Sequence, residues 1–510
     1  MTKYNTEGFR GTAAVFSLAT LLLIVLTVFV AKMAGAMELD WSGQFRSEVH
    51  LIKNYTMDSS DQGSTVDASR TAAGGYYITP GNRADANIRT LFMRLRPKVI
   101  VNDVIAIKSE WWLGDPIYGM FGSAASYPLD QRYFASTYSR GSSISAQRLW
   151  GEFGSDFGTI QIGRAPLQWG LGLVWNSGEG LWDRYQSTGD TIRIVSKFGS
   201  FTFIPSFVSY SMGNKVGEDA ASVGDYSIAL RYENVDESDI EIGINFIRRL
   251  GGASQQVFQG PSTSSGNPTA VGMNYNTWDI FTRKKLGKLT LTAEVPIVTG
   301  NIGGLEYSSI AFAGEATYKM SDSWEMQARV GHAPGQTNSS GAILDKYKAF
   351  YFHPNYRLGL IMFQYNLAGF SQTSTLNANG GTSPSTLVSP FDNPIANANY
   401  GSLYGAYHTD KWTLSGNLIY AQAPEAAVAG QFFYNHWDRK THLAATSQEH
   451  SLGLETDLGA AFQWDEYFQF RFDTGIFFPG SFYRFSNALA GTQNANSPVI
   501  AAVFRVGVSF

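Results

Sequence analysis

A chain of 510 residues without a single cysteine and with a net charge of −4 excludes several classes at once. Disulfides, thiolate metal sites and covalent c-type haem attachment are ruled out. Nucleic acid is a poor partner, because no basic excess is available to neutralise phosphates. Against only 16% charged residues stand Phe 34, Tyr 26, Trp 12 and Gly 53, a balance that suits aromatic girdles and closely packed strands.

At the N-terminus, Lys3 and Arg10 precede an apolar stretch over 13–30, and Ala34, Gly35 and Ala36 place small residues at the positions of an A-x-A cleavage site. Residues 1–36 read as a secretory signal peptide. Their apolar core exceeds the usual ~7–15 residues, so an uncleaved inner-membrane anchor is the alternative. A strand begins immediately afterwards: Leu39, Trp41, Gly43, Phe45, Ser47, Val49 and Leu51 alternate with Asp40, Ser42, Gln44, Arg46, Glu48 and His50. No amphipathic helix gives that spacing.

Residues 55–87 are rich in Ser, Asp, Gly and Thr, lack periodicity and read as a long loop. Then Leu91, Met93 and Leu95 alternate with Phe92, Arg94 and Arg96. A turn at Asn102 and Asp103 leads to a strand in which Ile105, Ile107, Ser109 and Trp111 alternate with Ala106, Lys108 and Glu110. The same unit recurs, with short connections expected at 155–158, 198–200, 235–238, 285–288, 320–323, 409–411 and 463–466. Longer ones are expected near 114–144, 165–188, 213–224, 250–273, 299–305, 334–346, 367–398, 424–448 and 479–497. Tight turns at one end and long loops at the other are the asymmetry of an outer-membrane barrel.

The chain ends on the same pattern. Ile500, Ala502, Phe504, Val506, Val508 and Phe510 are apolar, with Val503, Arg505, Gly507 and Ser509 between them. This strand is expected to close a ring against the one starting near Leu39. The fold predicted is all-β: a single transmembrane antiparallel β-barrel over 37–510 with about eighteen strands, sixteen or twenty being the nearest alternatives. Residues 346–366 could add a further pair, interrupted by Pro354. Phe510, as an aromatic terminus, resembles the recognition signal of the outer-membrane assembly machinery.

Opposite the apolar face lie Arg46, Glu48, Arg94, Arg96, Lys108, Glu110, Arg148, Glu152, Arg193, Arg231, Glu294, Glu315, Arg329, Glu455, Asp457, Asp473 and Arg505. Arg or Lys facing lipid at the midplane costs ~2–4 kcal/mol each, so these side chains belong to the lumen. Most are expected to pair across strands and a minority to line a hydrated pore. The candidate constriction is 163–194, with Trp169, Trp175 and Trp182 among many glycines and a cluster of Arg164, Glu179, Asp183, Arg184, Asp190 and Arg193. It is expected to fold back into the lumen, glycines permitting tight turns and aromatic faces offering stacking surfaces for sugar rings; packing on the rim as structural filling is the alternative. Arg164, Asp183, Arg184, Asp190 and Arg193 are the expected solute contacts, with Arg94, Arg96, Lys108, Glu110, Arg148 and Glu152 lining the pore nearby.

Four stretches resemble alginate-export-type outer-membrane barrels: GR-x-P-x-x-WG-x-G over 163–172, L-W-D-R over 181–184, FHPNY-x-LGL over 352–360, and L-G-L-E-T-D-L followed by F-F-P-G over 452–480. The resemblance implies an eighteen-stranded porin whose charged, often arginine-rich constriction passes an anionic polysaccharide.

Other classes were weighed. An outer-membrane enzyme would need a nucleophile or acid beside one of seven histidines, His50, His332, His353, His408, His436, His442 and His450. His436, Asp438 and His442 share one loop, but their spacing fits no strong zinc pattern. An adhesin, or a sheath around a partner, would use the long loops 55–87 and 367–398. The reading is a channel of a Gram-negative-type outer membrane for small hydrophilic solutes, oligosaccharides or anions, with no cofactor or metal. Its partners are membrane lipid, lipopolysaccharide and the assembly machinery; a homo-oligomer stays open, because an interface on the lipid face would look merely apolar.

Overall fold

The computed structural model describes residues 37–57, 59, 85–114, 144–211, 223–234, 239–252, 272–303, 305–341, 344, 346–367, 391, 393–436, 440–485 and 493–510. The expected signal peptide, Asp438 and most of the loops 55–87 and 367–398 lie outside the described residues.

The first half of the chain supplies β1 (Glu38–Lys53), β2 (Ala86–Asn102), β3 (Ile105–Leu113), β4 (Ile144–Ser155), β5 (Gly158–Pro166), β6 (Thr188–Phe198), β7 (Phe201–Ser211), β8 (Val223–Asn234) and β9 (Ile240–Gly251). There follow β10 (Met273–Leu286), β11 (Leu289–Ile302), β12 (Leu305–Ile310), β13 (Phe312–Lys319), β14 (Trp324–Ala333) and β15 (Lys346–Tyr347). The last are β16 (Ala398–His408), β17 (Trp412–Gln422), β18 (Phe432–Asn435), β19 (Lys440–Leu443), β20 (Ser451–Gln463), β21 (Phe468–Pro479) and β22 (Val499–Ser509). All except the β18–β19 hairpin join one 20-stranded sheet. Within it β12 and β13 are halves of one wall strand and β15 lies inside, leaving eighteen antiparallel staves. β22 pairs with β1 in a ladder that sets Arg505 opposite Glu48, so the sheet closes on itself.

The gap between β12 and β13 has a local cause. It falls at Ala311, opposite Pro296 of β11, which has no N–H to give to the ladder. Ala311 keeps one bond, donating its N–H to the Pro296 carbonyl at 3.1 Å.

Alternation sorts the side chains as the sequence predicts. In β1, Arg46, Glu48, His50 and Ile52 are buried inside while Leu39, Trp41 and Leu51 stand exposed outside. In β22, Val503 and Arg505 point inward, and Ile500 and Phe504 outward. The outer face carries large exposed apolar residues such as Leu149, Ile192, Ile228, Trp278, Leu403 and Leu458, as lipid contact requires. Near the tight turns, aromatic pairs such as Trp324 with Tyr407 (4.8 Å between centroids) and Trp412 with Phe462 (4.7 Å) contribute to a belt.

Two expectations about connections are corrected. The link predicted near 299–305 is tight, because Ile302 pairs directly with Leu305. Residues 346–366 add no wall strands; Lys346 and Tyr347 pair in parallel with β12, Tyr351 makes an isolated bridge to Ala396, and the chain then runs inside the barrel. There Phe352, Tyr356, Leu358, Ile361, Met362 and Tyr365 form one buried cluster with wall residues Val298, Ile419, Phe477 and Val503.

Candidate constriction site

The β5–β6 connection is narrower than the stretch singled out from the sequence: Gly163–Pro166 and 188–194 are wall, and 167–187 form the inward segment. It doubles back on itself, with Leu167 N–H donating to the Ser187 carbonyl (2.9 Å), Ser187 N–H to the Asn176 carbonyl (2.6 Å) and Trp169 N–H to the Trp175 carbonyl (3.1 Å). At its tip Gly170 has φ +50°, and an added Cβ would press on the Glu294 carboxylate. That carboxylate, on β11, accepts the N–H groups of Gly172 (3.0 Å) and Leu173 (3.1 Å). The Trp169 indole donates to the Asp279 carbonyl (3.2 Å) and the Trp175 indole to the Tyr210 hydroxyl (3.1 Å).

The other end of the segment is gripped by cations from β1, β2 and β4. Arg46 donates to the Leu181 carbonyl (2.6 Å), Arg94 to that of Gly178 (2.7 Å), and Arg148 to that of Ser177. Arg94 and Arg148, joined by Arg96, also converge on Glu110, which lies 3.7 Å from Arg94, 2.9 Å from Arg96 and 3.2 Å from Arg148, while Arg46 pairs with Glu48 (3.5 Å). Glu179 bridges Arg96 (2.5 Å) and Arg148 (2.7 Å). Charges this deeply buried persist only when paired and hydrogen-bonded. Arg184 follows the same rule, bonding Glu48 (2.5 Å) and lying 3.8 Å over the Phe391 ring. Trp182 packs on β22, where a Cβ on Gly507 would lie 2.6 Å from Leu181 and 3.0 Å from the indole.

A second inward segment, 348–367, was missed in the sequence. Tyr356 donates to Glu315 of β13 (3.0 Å), while Arg329 of β14 holds the carbonyls of Arg357 (2.9 Å) and Leu358 (2.7 Å). Glu455 of β20 accepts the N–H of Ile361 (2.7 Å) and of Met362, Asp457 accepts that of Leu360 (3.2 Å), and His50 meets the Tyr365 hydroxyl (2.7 Å). The two segments are knitted together by Asn355. Its side chain accepts the N–H of Arg184 (3.3 Å) and Tyr185 (3.1 Å) and donates to the Tyr185 carbonyl (2.6 Å) and Asn176 Oδ1 (3.3 Å). His353 N–H adds a bond to the Leu173 carbonyl (2.8 Å). Burial, with Arg357 beside it, holds the His353 imidazole down at about 4; burial and Arg184 lower the Arg357 guanidinium to about 10.

Of the predicted site residues, Arg94, Arg96, Glu110, Arg148, Trp182, Asp183 and Arg184 gather at this contact. Asp183 caps a tight turn, accepting Gly180 N–H at 2.8 Å. Trp169 and Trp175 are buried in the segment's packing. Lys108, Glu152 and Arg193 lie in the lumen apart from it, Lys108 paired with Glu152 (2.8 Å) and Arg193 with Gln161. Arg164 and Asp190 do not belong to the lumen. Arg164 shares its face with outward Leu149, and Asp190 shares its with outward Ile192; the two pair with each other at 2.8 Å on the outside of the wall. Phe510 exchanges backbone hydrogen bonds with Gly43 (2.7 and 3.0 Å), its ring covering that glycine. His436 sits half-buried in the β18–β19 hairpin, its Nε2 accepting Gln336 N–H (3.1 Å), and among the described residues no cluster of three potential metal ligands involves it.

No protein-family model matches this chain, and no curated protein does. Among solved structures the chain is similar to Pseudomonas aeruginosa OccK5 (OpdH), at 9% identity over 92% of this chain and 98% of that one, TM-score 0.47. It is similar to Pseudomonas aeruginosa OccK8 (OprE), at 9% identity over 93% and 98%, TM-score 0.46. A further likeness is to OmpT, an outer membrane protein of Vibrio cholerae, at 10% identity over 93% and 98%, TM-score 0.36.

Proposed function

We propose that this chain is a passive, non-enzymatic channel of a Gram-negative-type outer membrane, exported by its N-terminal signal peptide, through which small hydrophilic solutes diffuse. The observation that carries the reading is the arrangement of the lumen. Two inward segments narrow an eighteen-stave barrel, and the face they leave open is charged: Arg96 at 25% exposure, Lys108 at 31%, Glu152 at 20% and Glu179 at 48%. A low-dielectric wall focuses the field of such groups on the path, so selection is steric and electrostatic and needs no cofactor. Trp182 and Asp183 stand at the same edge as the aromatic and polar contacts for a passing solute.

The finer reading is an anionic polysaccharide or its fragments as cargo. It draws on the stretches that resemble alginate-export barrels: 163–172, 181–184, 352–360 and 452–458 meet at the two inward segments and their Glu455 and Asp457 anchors.

Deleting 168–186 and recording single channels in a planar bilayer is the direct test. Conductance should rise, because the lumen side chains that held the segment become hydrated. Unchanged conductance would sink the constriction, and the absence of steady steps in the intact protein would favour a sheath or adhesin. Liposome swelling with neutral sugars and uronate oligosaccharides then separates the general from the finer cargo.

A further inference from the structure

Behind the first inward segment lies a polar island that transport does not use. Asn245 of β9 stands directly across from Asp279 of β10, and Glu294 of β11 lies one rung away, opposite Phe281. All three point into the lumen and are buried, at 1%, 0% and 0% exposure. Their surroundings are apolar: Ala229, Ile247, Phe281 and Trp169. Trp169 lies flat on Gly243, where a Cβ would sit 2.7 Å from the indole.

The island's polar atoms are largely unpartnered. Glu294 spends one lone pair on each oxygen to hold Gly172 and Leu173. Apart from the Glu294 carboxyl beside it, Asp279 finds no hydrogen-bond partner for its carboxylate oxygens, and neither amide atom of Asn245 has a partner. The Ser227 hydroxyl, on β8, is likewise buried and unpartnered. The Asp279 and Glu294 carboxyls are diagonal neighbours on the inner face of β10 and β11. No cationic side chain among the described residues reaches ion-pair distance of either: Arg249 is committed to Asp225 (2.8 Å), and Arg231 to Glu233 (2.9 Å) and Glu241 (3.4 Å). The comparable pair on β20 is better provided, since Asp457 receives Leu360 N–H and the Asn417 amide.

Two neighbouring carboxyls in an apolar pocket need positive charge between them, a shared proton or a metal cation. The atoms on offer are all oxygens: the Asp279 carboxylate, the spare lone pairs of Glu294 and Asn245 Oδ1. Hard oxygen donors in a dry pocket suit calcium, which takes 6–8 oxygens at ~2.3–2.6 Å, better than magnesium, which demands a near-ideal octahedron and keeps several waters. We propose that Asn245, Asp279 and Glu294 bind a calcium ion, which ties the inward segment 167–187 to the β9–β11 wall through Glu294. This site stands whether or not the barrel conducts.

Trp169 supplies the assay, because its indole hydrogen-bonds to the Asp279 backbone and can sensitise a lanthanide bound there. The refolded full chain in detergent, stripped with chelator, is titrated with Tb3+ under tryptophan excitation, and Ca2+ is then added in competition; calorimetry with Ca2+ alone gives the stoichiometry. Expected are saturable emission at one equivalent, displaced by Ca2+, and a loss of affinity of more than about tenfold in Asp279→Asn. Trp169→Phe should lower emission relative to the calorimetric occupancy. Should Asp279→Asn fail to give a folded, heat-modifiable band, Asn245→Ala retains both carboxyls and should also weaken binding. The proposal is overturned by absent Ca2+-displaceable emission in the folded protein, or by full emission and unaltered calcium heats in folded Asp279→Asn or Asn245→Ala. The first result would mean that the two carboxyls share a proton instead.

Discussion

Asn355 is the bolt between the two inward segments, and Asn355→Leu removes it with little change in volume. Four side-chain hydrogen bonds to the first segment go, two of good length (2.6 and 3.1 Å) and two long (both 3.3 Å), with a marginal fifth from Arg357 (3.5 Å) inside the second segment. With a good bond at about 1 kcal/mol net and a long one at about half that, the docking of 184–185 should weaken by about 3 kcal/mol. At ~1.4 kcal/mol per factor of ten, local opening becomes roughly a hundredfold more frequent. Amide hydrogen exchange reads this directly, since the Arg184 and Tyr185 N–H groups both lose their acceptor. Their exchange should accelerate by about two orders of magnitude, while Ile361 and Met362, held by Glu455, keep their protection. Single-channel records should show added flicker. The reasoning is refuted if exchange at 184–185 is unchanged, or if 361–362 accelerates equally, which would mean general loosening.

Three further outcomes follow from the geometry. Arg164→Leu should leave conductance and ion selectivity where they are, because the Arg164–Asp190 pair sits outside the wall; a changed reversal potential would put it back in the lumen. Gly43→Val sets a Cβ 2.6 Å from the Phe510 ring and 2.7 Å from the Arg94 carbonyl, so the closing ladder should distort and the yield of heat-modifiable barrel fall; wild-type yield argues against that contact. Burial pushes His436 from its usual 6.5 to about 3. Above about 6.5 the imidazole is neutral whether the hairpin is docked or open; below it the open form takes the proton first, so docking weakens down to about pH 3 and then levels off. Proteolysis of β18–β19 should therefore quicken between about pH 7 and about pH 4, and a rate independent of pH, or the same dependence in His436→Gln, contradicts this.

The wall was legible because its chemistry is local. Each strand needs one apolar and one tolerant face, and residues such as Trp41, Phe45 and Val49 against Gln44, Arg46 and Glu48 state that in the primary structure. The interior was harder, since inward segments carry no period of their own. Residues 352–366 go inside because Glu455 and Asp457, about a hundred positions later, accept their N–H groups; in the sequence those carboxylates looked like wall-stiffening charges. The first segment was recognised by its Trp and Gly content, yet its limits were drawn too wide. For Arg164 and Asp190 the sequence does carry a signal: each lies two positions from an outward isoleucine, Ile162 and Ile192, and so has the same parity. Charge drew them into the site when periodicity placed them on the lipid side. Asn245 and Asp279 offered no signal, because their isolation depends on Trp169 closing over them from another part of the chain.

The wall grips the inward segments largely by their main chain. Arg46, Arg94 and Arg148 hold carbonyls of 177–181, Glu294 holds the N–H groups of 172–173, and Glu455 those of 361–362. Main-chain atoms are the same whatever the side chain, so exposed positions such as Glu179, whose carbonyl and N–H take no part in the grip of Arg94 and Arg148, can be exchanged at less cost to the mooring than the residues that pack on the wall. Glycines such as Gly170 and Gly507, and the gripping charges themselves, cannot. The barrel is thereby divided into a fixed frame and a rewritable filter. Libraries confined to those exposed positions should retune what passes, and libraries on the frame should mostly yield misassembled protein.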